Sequence, residues 1–256
     1  MNTAFLKTGL FIGFLTIVSH GHMSALKGAV IAMHSGSANP TTEGFANNNN
    51  AITGSAINGD TDGTVTFDAF QVVGGTTNSY YVRSPTSAES AAALSSGWKM
   101  TVNLRFPEPG PFFYASYFDS LRRWDIFMSS GHDVAGDRVW LWDNTNGFLG
   151  GPSYDIPGAR GRYHFLELIY DVSSTKARLY VDGTLAISNF AGGPNSASGL
   201  ALFGSTSSFA ANVNLYKVET GAFEGSAYVA QSAVPEPSAF LLGGGGLVGL
   251  WLRRKR

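Results

Sequence analysis

Two oxygen-rich loops hold the first candidates for chemistry. His132, Asp133 and Asp137 fall in one glycine-containing loop, and Asp143, Asn144 and Asn146 in the next. Ca²⁺ takes about 6–8 oxygen ligands, and Asp133 and Asp137 are the candidate ligands for such an ion. Neither loop matches an EF-hand. Asp and Asn are also the ordinary residues of β-turns, so turn chemistry and a cation site are both open readings. The run Asn58-Gly59-Asp60-Thr61-Asp62-Gly63 divides the same way. No cofactor is predicted, and Ca²⁺ is the one candidate ion. Between the two loops, Arg138 to Trp142 reads as a strand with Trp140 and Trp142 on one face and Val139 and Leu141 on the other. Paired indole faces can stack on sugar rings. A sandwich strand that buries one face explains them as well, since Trp is heavily buried on average. Trp140 and Trp142 are the candidate ligand-binding residues, with core packing as the alternative. Trp124, with Arg122 and Arg123, divides likewise.

Catalytic constellations are harder to find. A glycoside hydrolase places two carboxyl groups about 5–9 Å apart across the scissile bond. One strand could supply both at i, i+2 or i, i+4. Glu43, Glu89, Glu108, Glu167, Glu219 and Glu224 are instead scattered, with Glu219 and Glu224 expected to be solvated. Only convergence in space could build such a pair. Gly-x-Ser-x-Gly is absent, and His132 and His164 are the histidines well inside the domain, with His34 near its first strand. His164 opens an apolar strand and reads as a hydrogen-bonded structural residue. Without any cysteine, thiol nucleophiles and Cys-ligated zinc or iron–sulfur sites are excluded. No catalytic residue is assigned.

These residues must be positioned by strands. The hydrophobic period is two almost throughout, and Gly, Ser, Thr and Asn punctuate short runs. Trp98 to Phe106 is the clearest strand, with Met100, Val102, Leu104 and Phe106 on one face and Thr101, Asn103 and Arg105 on the other. Tyr163 to Tyr170 is apolar on both faces apart from Glu167. Asp182-Gly183 predicts a type I′ hairpin, because both residues tolerate φ > 0. Gly36 to Asn50 and Phe148 to Pro157 read as connections. Ser87 to Leu94 is the one helical turn. The fold class is all-β, a two-sheet antiparallel sandwich.

Both ends depart from this rhythm. Met1 to about Ala25 reads as a secretory signal peptide, with Lys7 as its basic charge and Gly9 to Val18 as its apolar stretch. At the other end, Pro235-Glu236-Pro237 breaks any preceding element. An uncharged run from Ala239 to Leu252 follows, and Arg253, Arg254, Lys255 and Arg256 close the chain. As a helix that run covers about 21 Å, short of the ~30 Å hydrocarbon core, and Gly243 to Gly246 weaken it further. Proline-glutamate-proline, apolar segment and basic tail together resemble the PEP-CTERM sorting signal of Gram-negative bacteria. The resemblance implies a short transient transmembrane anchor in the inner membrane, recognised by an exosortase-type processing enzyme. The divisions are 1–25 signal peptide, 26–224 domain, 225–233 linker and 234–256 sorting segment. Five of the 17 Lys and Arg and one of the 18 Asp and Glu lie in the terminal segments, so the domain carries 12 against 17, near −5. That balance, with no basic stripe, argues against nucleic acid as a partner.

A second resemblance covers the domain through its strand rhythm. The unit ending in Asp171, then Ala-Arg-Leu-Tyr-Val-Asp-Gly-Thr-Leu through Leu185, is similar to the laminin-G-like and concanavalin-A-like jelly rolls. Asn212 to Glu219 resembles their closing strand. The families imply carbohydrate or protein ligands in many members and no particular activity. The expectation is an exported, non-catalytic protein of the envelope or exopolysaccharide matrix, binding glycan or serving structure. A polysaccharide-active hydrolase or lyase on the same scaffold is the alternative.

Overall fold

Period-two patterning builds two sheets in the computed structural model, which describes residues 28–48, 52–75, 79–110, 112–131, 136–143, 150–158, 160–194, 199–205 and 210–226. The strands begin with β1 (Val30–Ser35), β2 (Ala46–Asn48), β3 (Thr53–Asp62), β4 (Val65–Val73) and β5 (Ser79–Arg83). After helix α1 (Ser87–Ser96) come β6 (Trp98–Arg105), β7 (Phe112–Phe118), β8 (Arg122–Ser130), β9 (Asp137–Leu141) and β10 (Ser153–Ile156). The last six are β11 (His164–Asp171), β12 (Lys176–Val181), β13 (Thr184–Phe190), β14 (Gly193–Pro194), β15 (Leu200–Ser205) and β16 (Ala210–Thr220).

The first sheet runs β13-β12-β11-β6-β16-β4-β3, with β1 also on β16; the second runs β10-β9-β8-β7-β15-β5-β2, with β14 on β8. Every pairing is antiparallel. The core lies between the sheets. Met100, Val102 and Leu104 of β6 and Leu166 and Leu168 of β11 are fully buried there, opposite Ile126 and Met128 of β8. Trp98 meets Tyr117 at 5.0 Å and Trp124 at 5.5 Å between ring centroids, so Trp124 is a core residue. Each such ring contributes about 1.5–3 kcal/mol by burial.

The Asp182-Gly183 turn has φ of 48° and 79°, as the hairpin requires. Two expected connections contain strands: β2 lies within 36–50 and β10 within 148–157. The Asn58 to Asp62 run is also strand, the end of β3, with a register shift between Ile57 and Asp60. Its residues are mostly exposed, so the ladder to β4 rather than apolar alternation holds it in place. Helix α1 runs two residues past Leu94. Thr86 and Glu89 form a capping box at its start, and the hydroxyls of Ser95 and Ser96 donate back to the Ala92 carbonyl. Among the described residues no helix is long and apolar enough to cross a membrane. The expected signal peptide and sorting segment lie outside those residues.

Candidate ligand-binding face

Strand alternation turns half of the second sheet away from the core, and Trp140 and Trp142 belong to that half. Trp140 is registered beside Phe127, and Phe127 beside Tyr114. With Phe118 and Leu202 these residues form a cluster separate from the sandwich core, and Trp142 packs against it. Trp140 is only 3% exposed. The Arg138 guanidinium lies 5.9 Å from its ring and the Phe112 ring 6.2 Å away. Trp142 carries the Arg123 guanidinium 4.4 Å from its ring and presses on Gly193, where an added Cβ would come within 2.7 Å of the indole. Among these rings Asp125 is fully buried. The Ser116 hydroxyl donates to one of its oxygens and Arg123 Nε to the other, the latter at 2.5 Å. Burial raises the Asp125 carboxyl above its ordinary pKa, while the Arg123 charge opposes the rise.

Asp137 faces the core end of the first sheet. Its Oδ2 lies 3.1 Å from His164 Nε2, and Asp182 Oδ2 lies 2.8 Å from Nδ1. His164 is the hydrogen-bonded structural residue expected, and it ties β9 of one sheet to β11 of the other. Burial pushes its imidazole pKa down, but hydrogen bonds to both carboxylates and their charges win and raise it to about 9. Asp133 lies outside the described residues, as do His132, Asn144 and Asn146. Among the described residues no group of three or more His, Asp and Glu is arranged to hold a metal ion.

The outward face of the first sheet is polar. Met100, Val102 and Leu104 point inward, as the sequence pattern predicts, so Lys99, Thr101, Asn103 and Arg105 point outward. At one end Asp60 gathers three partners. Arg105 Nη2 reaches one oxygen at 2.8 Å, while the Tyr163 hydroxyl and Asn212 Nδ2 donate to the other at 2.8 Å and 2.7 Å. Gln71 Nε2 donates in turn to Asn212 Oδ1 at 3.2 Å, and Asn103 Nδ2 to Asn214 Oδ1 at 3.0 Å. The Tyr163 ring packs on Phe67, with centroids 4.1 Å apart. Burial and then the bond to Asp60 raise the Tyr163 hydroxyl pKa, so it stays a neutral donor.

Beside this network lies a hollow of about 110 Å³, lined by Asp62, Val65, Phe67, Asn103, Arg162, Tyr163, Phe165 and Asp182. Asp62 accepts from the Tyr163 amide at 2.8 Å and from Arg162 Nε at 3.2 Å. Asp182 accepts from the Phe165 amide at 2.8 Å as well as pairing with His164. Fixed amides and carboxylates around aromatic rings match the two surfaces of a sugar, hydroxyls at the edge and C–H groups on the face. Sequence reasoning missed this site. From sequence, Asp60 and Asp62 read as turn residues or cation ligands, and Asn103 and Asn212 only as polar positions of strands.

At the other end of the same face a second ionic group is buried. Lys99 Nζ lies 3.3 Å from Glu167 and 3.4 Å from Glu219, and Lys217 reaches Glu219 at 2.6 Å. Glu219 is thus paired and nearly buried, not solvated, because β16 is a central strand whose end is covered.

Residues 233–256 match the PEP-CTERM protein-sorting motif. No curated protein matches the chain. Among solved structures, the carbohydrate esterase of the Shiga toxin-encoding bacteriophage phi24B is similar with a TM-score of 0.56 at 12% identity, over 76% of this chain and 100% of that one. A protein of unknown function with a galectin-like fold from Bacillus subtilis gives 0.46 at 12% identity, over 77% and 98%. The carbohydrate-binding module CBM66 from Bacillus subtilis gives 0.39 at 14%, over 66% and 96%. At such identities the likeness extends to fold alone. The chain is an all-β sandwich of two antiparallel sheets that ends in a PEP-CTERM sorting motif.

Proposed function

We propose that this chain is an exported, non-catalytic sandwich of the concanavalin-A-like jelly-roll kind that binds glycan on the outward face of its first sheet. Its sorting motif delivers it through an exosortase-type processing enzyme, with a transient inner-membrane anchor, to the envelope and exopolysaccharide matrix. The observation that carries the binding reading is the Tyr163 ring, packed on Phe67 and pinned through its hydroxyl to Asp60 beside the hollow. Rigid aromatic faces flanked by satisfied amides cost little entropy to present to a sugar. Trp140 and Trp142 offer a second face, but their rings already pack against Phe112, Arg138 and Arg123.

One observation favours the alternative, a polysaccharide-active hydrolase or lyase: Asp62 and Asp182 line the same hollow. Both oxygens of each carboxylate are already committed to backbone amides and to Arg162 or His164. Both side chains are thereby fixed as part of the hydrogen-bonded scaffold around the hollow. The test is a glycan array probed with the full chain in detergent, with and without Ca²⁺, beside a hydrolysis assay on the same sugars. Binding without turnover, lost in Tyr163→Ala and kept in Trp140→Ala, is the expected result. Loss in Trp140→Ala alone moves the site to the second sheet, and turnover sinks the non-catalytic reading.

A further inference from the structure

The hydrogen-bond donors around the hollow are largely spent, and its acceptors are not. The Tyr163 and Phe165 amides donate to Asp62 and Asp182, and the Tyr163 hydroxyl donates to Asp60. Each oxygen of Asp62 and of Asp182 accepts one bond, whereas a carboxylate oxygen has room for about two. Asn103 adds a further acceptor. Asn214 Nδ2 donates to the Asp68 carbonyl at 2.6 Å, so Asn214 turns its Oδ1 to Asn103 and receives the Asn103 Nδ2 at 3.0 Å. That orientation leaves Asn103 Oδ1 with no donor among the described residues, on a residue only 2% exposed that lines the hollow.

Phe67, Tyr163 and Phe165 border the same space, and the faces of aromatic rings attract cations. Two positive groups stand near. His164 approaches Asp182 from within the sandwich, and the Arg162 side chain, 62% exposed, reaches Asp62; each engages one oxygen of its carboxylate. At about 110 Å³ the hollow is far smaller than the about 300–1,000 Å³ of sites that enclose a whole small molecule. It has room for one substituent, with the rest of the ligand outside. We propose that the hollow is a subsite for a primary ammonium group, and that the glycan it selects carries unacetylated amino sugars. An ammonium has three donors and no acceptor, which suits the spare oxygens of Asp62, Asp182 and Asn103. An N-acetyl group brings a single N–H and no charge. A uronate brings only acceptors, against two carboxylates. That the cation belongs to a sugar rests on the glycan reading; the preference for a cation rests on the hollow itself.

Calorimetry on the full chain in non-ionic detergent compares β-1,4-linked tetramers of glucosamine, N-acetylglucosamine and glucose. Salt at roughly 0.3 M screens diffuse attraction to the acidic domain. The glucosamine tetramer should bind about tenfold more tightly than either of the others. Phe67→Leu changes no charge, and Asp62→Asn keeps an oxygen for the Tyr163 amide. Each should weaken the glucosamine tetramer about tenfold, a loss that diffuse attraction would not show. Circular dichroism checks that the variants fold, and either one alone suffices for the test. Equal affinity for the three tetramers overturns the ammonium subsite and leaves the glycan reading standing. A glucosamine preference untouched by both variants overturns the hollow as its site. If Nα-acetyl-lysinamide competes as well as free glucosamine, the hollow takes a lysine side chain and the sugar is the part that falls. Binding of no amine overturns the proposal outright.

Discussion

Raising the pH through about 9 should loosen the sandwich at His164. The imidazole is nearly buried, and its two nitrogens face Asp137 on β9 and Asp182 at the β12–β13 turn. Its pKa is raised from 6.5 to about 9 in the folded chain. A raised pKa means that the folded state holds the proton more tightly than the unfolded one. The stabilisation is therefore complete below about pH 6.5 and is lost as pH rises through about 9. At 1.36 kcal/mol per pH unit, that interval corresponds to about 3 kcal/mol. Urea unfolding at pH 6.0 and 9.3 measures it, with His164→Gln as the partner experiment. Glutamine keeps a hydrogen-bonding amide but no charge. The wild type should lose about 3 kcal/mol between the two pH values more than the variant does, and the two proteins should approach each other at the upper one. A difference in pH response below about 0.5 kcal/mol would falsify the charged clamp. The histidine would then be neutral in the fold, donating to only one of the two carboxylates.

Two further outcomes test other parts of the structure. Lys99→Met leaves Glu167 and Glu219 facing each other without their shared cation, and removing one partner of a buried ionic group costs about 3–5 kcal/mol. Denaturant titration should show that loss, and a change under 1 kcal/mol means the carboxylates protonate or reach water at no cost. Deleting Val234 to Arg256 should leave a folded domain in the soluble fraction, no longer retained with membranes. Fractionation and circular dichroism decide it; an insoluble or unfolded product means the tail belongs to the core.

How far the sequence reveals this protein depends on which side of a strand one reads. Inward positions must be apolar, so β6 and the alternation of Met100, Val102 and Leu104 were plain, and the Asp182-Gly183 turn announced itself through its φ requirement. Edge strand β3 was invisible, because a strand exposed on both faces needs no hydropathy period, and its Asn, Gly and Asp residues look like punctuation. The site suffers from the same blindness. Asp60, Arg105, Tyr163 and Asn212 are brought together only by β16 lying between β6 and β4, and no local spacing encodes that order. The tryptophans gave a stronger signal and do share a face, but alternation left open whether that face was core, and ring count says nothing about whether the ring faces are already engaged. One signal was available. The outward amides of Asn103, Asn212 and Asn214 are bonded across strands, as polar groups withdrawn from water must be. Short amides recurring at alternate positions of a strand therefore point to a built polar surface. On this chain that surface lies beside the hollow lined by Asn103 and Tyr163.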